Sequence, residues 1–323
     1  MGLLKSAVST ILFLTVLTAG NAAGFPDKPV RVLNTYPPGA GGDIAMRIIG
    51  TELERVWKQP VITENRPGAG GKLAYETALR ASPDGHTLSW AISSLTTLPY
   101  LMKNLGFSPE REIIGVTQVL ANVNSMVVPA SVPANNLGEF LAWVKANPGK
   151  ANYGTPGRGT GPHLLFEALK SAHGVNITEV QFSGTGQAVQ ALLRGDIHLV
   201  SDLLPSAIAN QQAGKARVIA IWGINERIPE LPNVQTLTEA NVLPFVPLSW
   251  QGVIASAAVP RNIITQIAAD ITNVIRAPEM KERIYKSTGT RVAGGTPEQF
   301  DQLLKSEYKF WGEMIPKLGM KPE

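Results

Sequence analysis

The chain predicts an α/β fold of two domains, each a mixed, mostly parallel sheet flanked by helices. Three observations carry this. Short apolar runs alternate with amphipathic segments of helical period along most of the sequence. Glycine-rich turns fall at strand-to-helix junctions in two separate blocks, one near residues 38–43 and one spanning 157–186. After the second block the chain resumes with one strand and several helices that have no sheet of their own. That tail is expected to return and complete the first domain. The expected division is a leader at 1–23, domain I at 24–122 and 250–323, and domain II at 123–249.

The first block opens with the apolar run Val30–Leu33 and the turn Tyr36-Pro37-Pro38-Gly39-Ala40-Gly41-Gly42-Asp43. Ile44, Ile48, Ile49, Leu53 and Val56 then recur at helical spacing. Two prolines stiffen the approach, and three glycines remove side chains that would obstruct a ligand. The N–H groups opening the helix and its dipole favour an anion there. Tyr36, Gly39, Ala40, Gly41, Gly42 and Asp43 are therefore candidate ligand residues. Asp43 is expected to support its own loop, since a bare carboxylate repels an anion. The competing reading is a glycine-rich turn with no ligand. Further strands follow at 60–64 and 87–92, the second ending on candidates Ser93 and Ser94, and another lies at 114–120.

The second block begins near Ser125. Asn136 caps a helix with Glu139 three residues on. The strand 151–155 places Thr155 before Gly157-Arg158-Gly159-Thr160-Gly161-Pro162-His163, which opens another helix. The turn Ser183-Gly184-Thr185-Gly186 follows the strand 175–182, and Asp202 follows the strand 197–200. In open α/β sheets ligands sit beyond the carboxyl ends of strands, where such turns collect. Gly157, Gly159, Thr160, His163, Ser183, Gly184 and Thr185 thus form a second half of a carboxylate clamp, with Thr160, Ser183 and Thr185 adding hydroxyl donors. Asp202 can hold a ligand amine or cap the turn after it. Arg158 is the one basic residue in these turns. Read as a dinucleotide loop, the 157–161 stretch would use Glu179 downstream, but Pro162 stands where the third glycine belongs. Trp90, Trp222 and Trp250 read as core residues of strands. Thr296 caps the last helix with Pro297 at its first position.

Composition limits the function classes. The chain has no cysteine, which excludes disulfides, thiolate metal sites and cysteine nucleophiles. The formal charge is only +4, with basic residues scattered, so nucleic acid is not an expected partner. Motifs of zinc peptidases and serine hydrolases are absent from the sequence, and His86, His173 and His198 read as surface or core. Lys5, the apolar run 7–17 and the small residues 19–24 have the layout of a secretory leader.

The sequence resembles the substrate-binding proteins of tripartite tricarboxylate transporters, the Bug receptors. The resemblance rests on Phe25-Pro26-Asp27-Lys28-Pro29-Val30, on 37–43, and on Glu64-Asn65-Arg66-Pro67-Gly68-Ala69-Gly70-Gly71. It continues through Pro83-Asp84-Gly85-His86, Ala146-Asn147-Pro148-Gly149-Lys150, 159–164, 202–207 and Gly294-Gly295-Thr296-Pro297-Glu298. It implies a type II-like two-domain periplasmic binding protein that closes on a ligand carboxylate through main-chain groups of both domains. Phe182-Ser183 departs from the tyrosine–lysine pair frequent in the family, and Trp90 and Trp222 stand where smaller residues are common. The expected function is capture of a small organic carboxylate and its delivery to the membrane subunits of such a transporter. The expected protein is a periplasmic monomer without catalysis, cofactor or metal. The alternatives are an orphan receptor serving a sensor kinase and a secreted α/β enzyme.

Overall fold

A computed structural model describes residues 24–322 other than Pro156, Arg158 and Ser183. The expected leader and candidate Ser183 therefore lie outside the described residues. One sheet is built from β1 (Val30–Asn34), β2 (Val61–Asn65), β3 (Thr87–Ile92), β4 (Ile113–Ala121), β10 (Trp250–Ser256) and β11 (Arg291–Val292), in the order β11-β4-β10-β3-β1-β2. The other contains β5 (Asn124–Pro129), β6 (Asn152–Thr155), β7 (Thr178–Gln181), β8 (Leu199–Leu203) and β9 (Ala216–Trp222), in the order β7-β6-β8-β5-β9.

Both sheets are mixed, but parallel pairing does not predominate. β1 pairs in parallel with β2 and β3, and β6 with β7 and β8. β5 and β10 are the first strands after each change of sheet, and each runs antiparallel to both neighbours. A strand entered from the other sheet has no crossover helix to turn it round, so it enters against the parallel set.

Helices cover both faces of each sheet. On one face of the first, Met46, Ile49 and Leu53 of the helix Gly41–Trp57 pack with Ile264, Ile267 and Ile271 of the helix Arg261–Arg276. Branched residues are mediocre helix formers, losing at most about 0.7 kcal/mol each. Burying each isoleucine contributes on the order of 1.5–3 kcal/mol, so burial rather than propensity holds that helix. On the opposite face lie the helices Lys72–Leu79 and Pro297–Lys317, through Tyr75, Phe300 and Leu304. The capping readings are seen directly: the Glu139 N–H donates to Asn136 Oδ1 at 2.9 Å, and Thr296 forms a capping box with Gln299. The first helix begins earlier than its apolar period indicates, because Gly41, Gly42 and Asp43 are already helical behind an extended Ala40.

The chain passes between sheets at residues 122–123 and again over 223–249. The two crossings run side by side: the Asn122 N–H donates to the Ser249 carbonyl at 2.7 Å, and Asn122 Nδ2 to Ser249 Oγ at 3.1 Å. Gly223 makes this approach possible, with a φ of +92° and a position where a Cβ would lie 2.3 Å from the Asn122 carbonyl oxygen. The last helix starts on the first sheet and ends beside the second, where Phe310, Trp311 and Ile315 pack on Leu164. No helix among the described residues is long and apolar enough to cross a membrane.

Candidate functional site

A cleft of about 550 Å³ opens where the two sheets face each other. The first sheet supplies Tyr36, Ser93, Ser94 and Thr97, and the short helix Leu98–Leu101 forms a wall. The second supplies Thr160, Gly161 and Pro162 at the start of the helix Gly161–His173, together with Trp222. The crossings add Asn122 and Ser249, and the start of β5 adds Asn124. A recess of about 30 Å³, roughly one water, shares Ser93, Ser94, Thr97 and Trp222 with the cleft and is lined also by Glu307 and Trp311.

Of the Pro-Gly turn, Tyr36 alone is among the described lining residues. Burial pushes its hydroxyl up to about 12, so it remains a neutral phenol. Gly42 has a packing role: a Cβ there would lie 2.2 Å from the Tyr36 ring. Gly41 is exposed and its Cβ position is 3.9 Å from Thr288, so it faces the tail. Ala40 precedes the helix, and the Gly39 N–H donates to Asp43 at 2.9 Å. Asp43 also accepts from Arg47 and from Asn65 Nδ2. Burial opposes its ionisation, but these bonds outweigh that effect and hold the carboxyl below its ordinary range. Asp43 is thus engaged within its own turn and is not among the described residues lining the cleft.

The second turn is braced from beneath. Thr155, fully buried, donates to Glu179 Oε1 at 3.0 Å, and the same oxygen lies 3.5 Å from His163 Nε2. His163 Nδ1 accepts the Gly159 N–H at 3.2 Å, which assigns the ring proton to Nε2. Thr155 and His163 thus support the loop from behind, and Glu179 is a strut rather than a ribose ligand. The Thr160 hydroxyl donates to the Gly157 carbonyl at 2.6 Å. Its proton is committed within the loop, so Thr160 is not the free donor expected from sequence. Gly157 and Gly159 take φ of +137° and +77°, and a Cβ on Gly159 would lie 3.5 Å from Leu101.

Gly184 and Thr185 open the helix Thr185–Arg194 and are not among the described lining residues. Asp202 lies within β8, opposite Ser125 of β5, and is not at the strand's end. Burial raises its carboxyl above the usual range, opposed by bonds from Ser206 and the Leu203 N–H. Asp202 Oδ2 and Ser125 Oγ are buried without a described protein partner.

Sequence reading missed the crossing residues Asn122 and Ser249, Asn124 at the start of β5, the wall Leu98–Leu101 and Met102, and Glu307. Trp222 and Trp250 are core residues, as read, but they also line the cleft. Their indole N–H groups are engaged elsewhere, Trp222 with Ser201 Oγ at 3.0 Å and Trp250 with Glu307 Oε2 at 2.9 Å.

Two α/β sheets joined by a double crossing, with a cleft lined from both, define a two-lobed binding protein. The chain belongs to the tripartite tricarboxylate transporter family receptors (TctC), whose profile matches residues 45–320. A relative from Cupriavidus necator, a UPF0065 protein in the gbd 5′ region, is 31% identical and covers 98% of this chain and 95% of its own. The periplasmic binding protein BugD is similar at 25% identity with a TM-score of 0.70, covering 93% and 100% of the two chains. MatC from Rhodopseudomonas palustris, solved with bound malate, is 26% identical with a TM-score of 0.67, covering 90% and 100%.

Proposed function

We propose that this chain is a periplasmic receptor that captures a small organic carboxylate between two lobes, 24–122 with 250–323 and 123–249, and delivers it to a tripartite tricarboxylate-type transporter. The observation that carries the reading is the cleft itself, lined from both sheets and both crossings. Hydroxyls and amides cluster on the first sheet and the crossings, while the second offers a helix start at Gly161. Neutral donors and a helix N-terminus suit an anion. A ligand held from both sides binds the closed arrangement better than an open one. The malate seen in MatC, a protein of like fold and similar sequence, supports a carboxylate as the ligand class.

Calorimetric titration of the purified protein against mono-, di- and tricarboxylates, with small-angle scattering in parallel, tests this. Micromolar binding of at least one carboxylate with a smaller radius of gyration is the expected result. Turnover of a substrate without stoichiometric retention of any carboxylate would overturn it.

A further inference from the structure

We propose that Glu307 is a positioning residue of the ligand site that acts in its neutral form, donating a proton to Thr96 so that Thr96 holds the turn Ser93–Thr96 at the cleft. Carboxylate binding is then coupled to proton uptake at Glu307. The coupling rests on the receptor reading above, whereas the relay stands without it.

The hydrogen bonds allow one complete proton route. Thr96 Oγ1 lies 2.8 Å from the Ser93 carbonyl and 2.9 Å from Glu307 Oε2. A hydroxyl has one proton, and a carbonyl and an ionised carboxylate only accept. With Glu307 ionised, Thr96 satisfies one of the two and faces the other with a lone pair. Thr96 and Glu307 are both fully buried, where such a mismatch is costly. With Glu307 protonated, every contact is filled. Oε2–H donates to Thr96, and Thr96 donates to the Ser93 carbonyl. The carboxyl still accepts the Trp250 indole N–H on Oε2 and the Leu248 N–H on Oε1. Burial acts in the same direction, raising this carboxyl to about 7.

The relay ends where the ligand site begins. Ser93, Ser94 and Thr97 line the cleft, and Glu307 lines the recess that shares all three. An ionised carboxylate makes the stronger, charge-assisted bond, so ionisation draws the Thr96 proton from Ser93 and loosens the turn. A carboxylate held in the cleft also disfavours a second negative charge nearby. Affinity should therefore fall as pH rises through about 7. Among the described residues, the titratable groups on neighbouring elements are Tyr75, Tyr100, Glu110 and His163, with Tyr308 beside Glu307 on its own helix. Burial keeps the three phenols neutral, and Glu110 is exposed. Histidine titrates in the same range as Glu307, so the variants below separate the two.

Amide NMR of the ligand-free protein tests the relay. The Ser93, Ser94 and Thr97 amides and the Trp250 indole N–H should shift together with pH, with a midpoint at about 7. Glu307→Gln should flatten all four signals. Thr96→Val should flatten those of Ser93 and Ser94 while Trp250 still titrates. Turn signals that stay flat in the native protein, or that titrate unchanged in Glu307→Gln, would overturn the relay. Calorimetry with malate as the probe tests the coupling. Malate should bind about tenfold more weakly at about pH 8.5 than at about pH 6 in the native protein, and within about twofold in Glu307→Gln. Equal native affinities at the two pH values would overturn the coupling. A carboxylate panel in which nothing binds would overturn the receptor reading alone, since the relay is read without ligand.

Discussion

Glu307 Oε2 accepts the indole Nε1–H of Trp250 at 2.9 Å, joining the last helix to the strand that re-enters the first sheet. The Thr96 hydroxyl lies 2.9 Å from the same oxygen, and the Leu248 N–H donates to the other at 3.2 Å. One carboxylate thus gathers the crossing segment, the end of the cleft loop and the C-terminal helix.

Burial raises the Glu307 carboxyl to about 7 from an ordinary 4.5, against the pull of those three bonds. The folded protein therefore binds this proton more tightly than the unfolded chain does. Stability from this group is lost as pH rises through about 7 and is regained as pH falls toward 4.5. Glu307→Gln, which mimics the protonated form, should remove that slope. The stability of the native protein relative to the variant should rise between pH 8 and pH 5 by on the order of 1–3 kcal/mol. Thermal melts across that range measure it, and parallel curves would refute it.

Glu179 holds the second glycine turn through Thr155 and His163. Glu179→Ala should cost about tenfold in ligand affinity with a smaller loss of stability, because it loosens a loop and leaves the core intact. Titration and melting of the same sample separate the two. A large drop in melting temperature with unchanged affinity would assign Glu179 to the core instead.

Glycines in the two turns should differ sharply. Gly159→Val forces a branched side chain into positive φ against Leu101 and should abolish binding. Gly42→Ala drives a methyl into the Tyr36 ring and should weaken both binding and stability. Gly41→Ala meets only Thr288 at ordinary contact distance and should be tolerated. Affinities measured on folded variants decide this, and binding loss in Gly41→Ala alone would contradict it.

Arg291 Nη2 lies 2.6 and 2.9 Å from the two carboxylate oxygens of Glu230, and the Tyr285 hydroxyl is 3.1 Å from one of them. The pair joins the tail to the segment after β9, and each side chain is about a third exposed. Exposed pairs contribute about 0–1 kcal/mol, so Arg291→Ala should weaken affinity by no more than about fivefold. That loss should shrink as salt rises. An effect independent of salt would point to packing rather than charge.

Much of this architecture was legible because its cause is local. Val30–Leu33, Thr87–Ile92 and the caps at Asn136 and Thr296 depend on neighbours a few residues away. The site was less legible, since its members meet only through the fold. Asn122 and Ser249 are isolated polar residues 127 positions apart whose pairing follows from the return of the chain. Glu307 lies in an amphipathic helix where a charged residue reads as surface. Asp43 and Thr160 are of the residue types that bind anions or cap turns, and only their hydrogen bonds reveal that the turn claims them.

The paired crossings have a mechanical consequence. Two segments bonded side by side at Asn122 and Ser249 behave like two knuckles on one pin. A torsion taken up in one must be matched in the other, so bending across the strip preserves both bonds, whereas shear between the strands breaks them. Rotation about that strip is thus the motion these two bonds would permit. It would also have to carry the last helix, whose Phe310, Trp311 and Ile315 tie the first sheet to Leu164 beside the second.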